Sequence, residues 1–374
     1  MKIAFLIGEI RANAGQTHNI AEIIKYLLSC HPDWEISVLT PRIVLPVVEG
    51  MNDKRVHIVK LTQYYSAIFL KHHLVRIFRD YDLLYIKGNY PYIFPAVNSG
   101  KKTILVLHQI DSPKLFKGLT QKLKIIASNF MTPFVLRKVD SLVTVTQELK
   151  EFYEKRYKVK INVIEDQISD IFFTSVVRTI PRDSEVIKLL TVGYWDGFNG
   201  RKRQDILIKS FAEITKSNPK LHLTLVGLNS DNIEQLRNIS EELSLKEKIE
   251  FKGYLGETEL LEEFKRNHIY VTATTYEGFY RQIIEAFATG MPSLVYDSRL
   301  VVSDPSQCAS SNHVVKSKAG MLYRDSSSML QGIRTITQNY NLFSLNGINY
   351  AENFRSSVVG KKTAEHIYGL LDNV

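Results

Sequence analysis

Short apolar runs recur along the chain, separated by polar stretches whose apolar positions fall three and four residues apart. In the first half the runs are Lys2–Ile7, Glu35–Leu39, Val56–Val59, Leu83–Ile86, Thr103–Leu107, Ser141–Val145 and Ile161–Ile164. Such short runs predict strands buried on both faces, as in a parallel sheet covered by helices. Thr17–Cys30 and Gln147–Tyr157 carry helical spacing between them. The pattern then restarts, with strands at Lys188–Val192, His222–Val226, Ile249–Lys252, Ile269–Thr272 and Ser293–Tyr296. Lys202–Thr215, Asn232–Leu243, Thr258–Arg266 and Tyr280–Thr289 are the helices of this second series. Two β/α series in succession predict an α/β chain with two doubly wound domains. Periodicity fails over Phe173–Glu185, which contains Pro181, and returns as an amphipathic helix over Val358–Leu371. The expected division is a Rossmann-like domain over 1–173, a linker over 174–187, a second domain over 188–357, and a C-terminal helix over 358–374 that can cross back to the first domain.

A length of 374 residues suits two such domains. No apolar run approaches the ~18 residues of a membrane-spanning helix. The opening MKIAFLIGEI has too short an apolar run for a signal-peptide core and reads as a first buried strand. Cys30 and Cys308 lie far apart and form no metal-spaced cluster, which suits a reducing cytoplasmic setting.

Charge adds a polarity to this picture. Residues 1–180 hold 25 Lys+Arg against 16 Asp+Glu, whereas residues 181–374 hold 23 of each, so the whole excess of +9 sits in the first half. A one-sided basic surface attracts phosphates or anionic lipid, or is simply a solvated face. Ser112–Arg137 and Tyr64–Arg79 mix cations with Leu, Phe and Ile. Ser112–Arg137 fits a basic amphipathic surface on an anionic membrane, with Leu115, Phe116, Leu119, Leu123 and Lys114, Lys117, Lys122, Lys124 in contact, or a helix packed on the sheet with lysines outward, and Tyr64–Arg79 has the same character. Nucleic-acid binding would rest on charge alone and is not expected.

Two chemistries are disfavoured at once. Gly8–Gly15 (GEIRANAG) lacks the G-x-G-x-x-G turn of a nicotinamide site. The triplet Asp80-Tyr81-Asp82 precedes an apolar run instead of following one, so it caps a strand start, and no metal is expected. Residues 269–296, IYVTATTYEGFYRQIIEAFATGMPSLVY, carry more. A strand ends near Thr274, Gly278 permits a tight turn, and a helix starts near Tyr280 and stops at Gly290 with Pro292 beyond. The free N–H groups at that helix start form an anion site. Glu277 and Glu285 are up to ~12 Å apart along the axis, too far for a glycosidase carboxylate pair but suited to opposite ends of an elongated ligand.

The stretch E-G-F-Y-x4-E-A-F-A-T-G-M-P, through Glu277, Gly278, Phe279, Glu285, Ala286, Ala288, Gly290 and Pro292, resembles the signature of glycosyltransferase family 4. LLTVGYWDGFNGRKRQDILIKSFAEI resembles that family's first donor-domain strand and loop, matching at Lys202, Asp205, Leu207, Ile208 and Phe211. TILVLHQID matches where the family carries a histidine, here His108, and Gly15 matches its phosphate-facing glycine turn. The resemblance implies a GT-B fold, two Rossmann-like domains facing across a cleft, and a retaining, metal-independent glycosyltransferase. It would move a sugar from a nucleotide-diphosphate sugar to a glycan or lipid-linked acceptor, in the cytoplasm or peripherally on the inner face of the membrane. It implies that Glu285 binds the ribose, that Lys202 with Arg201 meets the diphosphate, and that Glu277 and His108 contact the sugar or acceptor. Gly15, Gly278, Phe279 and Tyr280 would line the donor. Four departures stand out: Tyr194 replaces an arginine, Tyr280 replaces a glycine and crowds the phosphate turn, Glu165–Ser169 reads E-D-Q-I-S for P-N-G-V-D, and Ala273-Thr274 stands for P-S. They motivate two alternatives, a catalytically silent GT-B protein that binds glycans or activates a partner, and a GT-B nucleotide-sugar epimerase.

Overall fold

The computed structural model describes residues 1–11, 15–44, 51–62, 71–88, 90–110, 118–180, 186–195, 197, 200–227 and 230–372. The chain divides into two compact units, Met1–Ser169 with Arg355–Val374, and Asp170–Phe354.

The first unit is built on strands β1 (Lys2–Leu6), β2 (Ile10–Arg11), β3 (Glu35–Thr40), β4 (Ile43–Val44), β5 (Val56–Lys60), β6 (Leu83–Lys87), β7 (Lys102–Leu107), β8 (Ser141–Thr144) and β9 (Asn162–Val163). Seven of them form one sheet in the order β5-β3-β1-β6-β7-β8-β9, paired parallel throughout, and β2 and β4 form a two-stranded pair. The helices are α1 (Gly15–Cys30), α2 (Lys71–Phe78), α3 (Tyr90–Val97), α4 (Leu119–Leu136) and α5 (Gln147–Tyr157). Strand order reverses between β1 and β6, which opens a crevice at their carboxyl ends. Asp82 fixes the start of this crossover by accepting from the Lys2 backbone N–H at 2.8 Å, so the Asp-x-Asp triplet ends in a strand cap.

The C-terminal helix Ser356–Leu371 packs on α1 within the same unit. A Cβ at Gly360 would lie 2.4 Å from the Tyr26 ring, so only glycine lets the helices come this close. Tyr368 OH meets His31 Nδ1 at 2.9 Å, and Lys362 pairs with Glu165 at 2.9 Å.

The second unit comprises β10 (Ile187–Val192), β11 (Leu221–Val226), β12 (Ile249–Phe251), β13 (Ile269–Thr272), β14 (Ser293–Tyr296) and β15 (Gly320–Tyr323). Their order is β12-β11-β10-β13-β14-β15, again all parallel, with the reversal between β10 and β13. Helices α6 (Gln204–Ser217), α7 (Ser230–Glu242), α8 (Glu257–Arg266), α9 (Arg281–Ala288), α10 (Ala309–Ser317), α11 (Ser326–Gln338) and α12 (Tyr340–Ala351) cover it. Leu189, Phe211, Leu223, Val271, Leu294 and Ile333 are core residues from sheet and helices together.

Every predicted strand is present, with ends shifted by a residue or two. The pattern missed β2, β4, β15, α3, α10, α11 and α12. β2 and β4 are two residues each and β15 is only partly buried, while α11 opens on three serines that mask the helical spacing of Met329, Ile333 and Ile336. Part of the expected linker, residues 181–185, lies outside the described residues, as do residues 64–70 and Lys114, Leu115, Phe116 and Lys117.

Candidate active site

The second unit gathers its polar side chains where β10 and β13 part. β10 runs into Gly193 with φ +155°, and Gly193 N–H donates to Val226 O at 2.9 Å. Gly227 follows β11 with φ +93°, and a Cβ there would sit 3.3 Å from Gly193 N. The two loops are pressed together, and Gly227 needs both its freedom of φ and its lack of a side chain.

The basic triplet before α6 is divided between two carboxylates. Arg203 binds Asp205 through two hydrogen bonds of 3.1 and 3.2 Å. Lys202 Nζ lies 2.7 Å from Glu277 Oε1, and Arg201 Nη1 lies 3.3 Å from Oε2 of the same carboxylate. Thr275 N–H donates to Arg201 O at 2.8 Å, which ties this loop to the segment after β13. Glu277 is itself held by its backbone, donating to Gln307 O at 2.8 Å and accepting from Ala309 N–H at 3.2 Å. A buried carboxylate with two cations on it and its backbone bonded on both sides is fixed in position.

Gly278 is buried beside it, and Phe279 stands edge-on to His313 at 5.2 Å and near Phe354 at 5.8 Å. His313 Nδ1 meets Tyr350 OH at 3.0 Å, and burial pushes this imidazole down to about 3. Tyr280 does not crowd the turn at Gly278. Its side chain turns inward and is 1% exposed, because its hydroxyl finds partners among Tyr270, Thr272 and Thr274. Tyr194, in the place of the expected arginine, is 55% exposed.

α9 places Glu285 one turn after Arg281, whose Nε lies 3.5 Å from Glu285 Oε1. Both side chains are buried. Arg281 was not singled out from the sequence. A cation in the first turn of a helix opposes the helix dipole, and that sign is the clue that it serves a carboxylate.

A second cluster lies at the carboxyl ends of strands in the first unit. His108 follows β7, and its Nδ1 is 3.4 Å from Asp166 Oδ2. Lys87 ends β6 fully buried and pairs with Asp166 Oδ1 at 3.1 Å and with Asn19 Oδ1. Burial lowers the His108 pKa, with Lys87 adding to the effect against the pull of Asp166, so the imidazole is held neutral. Burial alone would raise Asp166, but the facing His108 and Lys87 outweigh it and hold the carboxyl below its usual range. His108 Nε2 is buried and has no hydrogen-bond partner among the described residues. Lys87, Asp166 and Asn19 escaped sequence reasoning because they come from three separate segments. A lysine closing the apolar run LLYIK was the one local signal. The E-D-Q-I-S departure gains a purpose here: Glu165 binds Lys362, and Asp166 balances Lys87. Gly15 begins α1, directly after residues outside the description.

Two parallel sheets, each with polar side chains gathered where its strand order reverses, define a pair of doubly wound α/β units. Comparison with known proteins narrows the class. Residues 180–304 match the family model described as glycosyl transferases group 1. The chain is similar to mannosylfructose-phosphate synthase of Agrobacterium fabrum, 33% identical over 101 residues, which is 25% of this chain and 22% of that enzyme. It is similar over 100% of its length to 99% of a glycosyltransferase structure from Rickettsia africae, with TM-score 0.76 and 13% identity. It also matches Anabaena HepE, solved in complex with UDP-glucose, with TM-score 0.73 and 17% identity over 99% of this chain and 100% of that one. The fold is therefore the GT-B fold of glycosyltransferases, with two Rossmann-like sheets. Among the described residues no group of three or more His, Cys, Asp or Glu is placed to hold a metal ion, and no helix is long and apolar enough to cross a membrane.

Proposed function

We propose that this chain is a retaining glycosyltransferase that moves a sugar from a nucleotide-diphosphate sugar to a glycan or lipid-linked acceptor without a metal. The observation that carries the reading is the convergence of Lys202 and Arg201 on Glu277 at the β10/β13 switch point, inside the segment that matches the family model. Glu285 accepts hydrogen bonds from the ribose hydroxyls, and Lys202 with Arg201 meets the diphosphate. Bond breaking leaves negative charge on that diphosphate while the sugar becomes cation-like. Fixed cations and the N–H groups starting α9 stabilise that charge, and Glu277 faces the sugar. His108, held neutral with Nε2 free to accept, is proposed to meet the sugar or the acceptor. UDP is the first donor base to try, because the HepE structure contains UDP-glucose.

The test is transfer by the purified chain, in chelator, with products read by mass spectrometry. Glu277→Gln keeps the shape and removes the charge, and should lower turnover by about 100-fold or more. Turnover unchanged in that variant, or strictly dependent on added metal, contradicts the proposal. Exposed Tyr194 favours a second reading, a catalytically silent member of the fold, which predicts donor binding with no product for any acceptor.

We also propose that α4 rests on an anionic membrane. Leu119, Leu123, Ile126, Phe130 and Phe134 form one helical face and are between 53% and 73% exposed. Lys122 stands in the same helix, and the first half of the chain holds all the excess positive charge.

A further inference from the structure

Tyr280 stands where the resembled family has a glycine, and its ring fills a place that no glycine could. The hydroxyl end is pinned from behind. It lies 3.0 Å from Tyr270 OH, 3.1 Å from Thr272 Oγ1 and 3.2 Å from Thr274 Oγ1, and Tyr270 OH donates to Val192 O at 3.2 Å. β10, β13 and the turn after β13 therefore hold the phenol in one orientation. Over its ring lies Lys202, with Nζ 4.2 Å from the ring centroid, inside the ~6 Å range of cation–π attraction. The lysine stem runs past Gly193, where an added Cβ would lie 3.6 Å from Cε. The Lys202 side chain is 10% exposed.

We propose that Tyr280 is a positioning residue, whose ring face keeps the Lys202 ammonium at the carboxyl end of β10 while its carboxylate partner changes. The proposal rests on reading Lys202 as a contact of the donor diphosphate. An arriving diphosphate competes with Glu277, 2.7 Å from Nζ. Lysine is a point charge on a flexible stem, and at that exchange it would lose its place without a second attachment. A ring face attracts the cation without neutralising it, so the charge remains available to the anion. The glycine of the resembled family offers no such seat, and the missing arginine at Tyr194 makes a fixed Lys202 more important here.

The seat is tested without any ligand. Protein grown on lysine labelled with carbon-13 at Cε gives one signal per lysine, and Lys202→Arg assigns the one sought. Shielding by the ring should move the Lys202 signal away from the other lysines in wild type and in Tyr280→Phe. In Tyr280→Leu it should return among them. An unshifted wild-type signal overturns the proposal even if Tyr280→Leu fails to fold. Calorimetry with UDP, GDP and ADP, each beside its nucleoside, then reads the consequence. Tyr280→Leu should weaken the bound diphosphate about 2- to 30-fold, the range of one cation–π contact, and leave nucleoside affinity unchanged. Tyr280→Phe should retain most of the diphosphate affinity. Equal losses for nucleotide and nucleoside would indicate general damage and overturn the positioning role. A shielded Lys202 in a wild-type chain that binds none of the nucleotides supports the seat but overturns the donor reading, so the two failures are told apart.

Discussion

Glu277 precedes Phe279 in the turn before α9, His313 of α10 meets the Phe279 ring edge-on, and both are buried, one among cations and the other among rings. Glu277 carries Lys202 on one carboxylate oxygen and Arg201 on the other. His313 is kept neutral by burial among Phe279, Tyr350 and Phe354. The consequence for stability has a definite sign. The imidazole pKa falls to about 3 in the folded chain, so the unfolded chain takes up the proton first as the pH drops. This contribution is complete above an unfolded value of about 6.5 and drains away as pH falls toward the folded one. His268, lowered to about 4 by burial with Arg178 and Lys188 adding to it, acts in the same direction. Going from pH 6.5 to 5 should cost about 1.6 kcal/mol for His313 alone, the slope rising from half to nearly all of about 1.4 kcal/mol per pH unit. Thermal melting should therefore show a fall in midpoint over this range that is shallower in His313→Phe, whose ring joins the same aromatic cluster. Parallel curves for wild type and variant would contradict the assignment.

At the level of elements, α4 separates two readings of one basic segment. A helix packed with only lysines outward would show a polar outer face, but the exposed face carries Leu119, Leu123, Ile126, Phe130 and Phe134 while Val135 and Leu136 are buried. Lipid binding through this face combines apolar insertion with attraction of on the order of 1 kcal/mol for each lysine near an anionic surface. Vesicle sedimentation should show binding to anionic but not neutral lipid, weakening as salt rises. Phe130→Ser with Phe134→Ser should reduce it and leave donor affinity intact. Equal binding to both lipids, or none to either, contradicts the membrane proposal. How far elements were legible follows from burial. β1, β3 and β13 are short runs buried on both faces and announced themselves, whereas β15 is half-buried and α11 carries Gly332 against Leu294, where a Cβ would lie 2.5 Å away. Met329, Ile333 and Ile336 keep a helical spacing there, but the three opening serines and the packing glycine dilute it. The donor-side candidates were legible because Glu277 to Glu285 is one continuous segment. The Lys87–Asp166–His108 cluster was not, because it exists only once distant strands are aligned in a sheet.

The whole molecule repeats one device twice. Each unit has a parallel sheet with a reversal of strand order, and each places charged side chains at the carboxyl ends beside that reversal. The clusters differ in composition. The second unit offers Lys202, Arg201 and the start of α9, groups suited to a diphosphate, while the first offers a neutral histidine in a balanced ion cluster, suited to hydroxyl groups. The central claim, that the second unit binds a nucleotide-sugar through Lys202, is tested most directly by calorimetry of the full chain with UDP-, GDP- and ADP-sugars in the presence of chelator. Wild type should bind at least one of them, and Lys202→Met, which keeps the stem and removes the charge, should weaken that binding by about tenfold or more, a charge-assisted contact being worth roughly 1.5–3 kcal/mol. Silence across the whole panel, or binding that Lys202→Met leaves unchanged, would contradict the account.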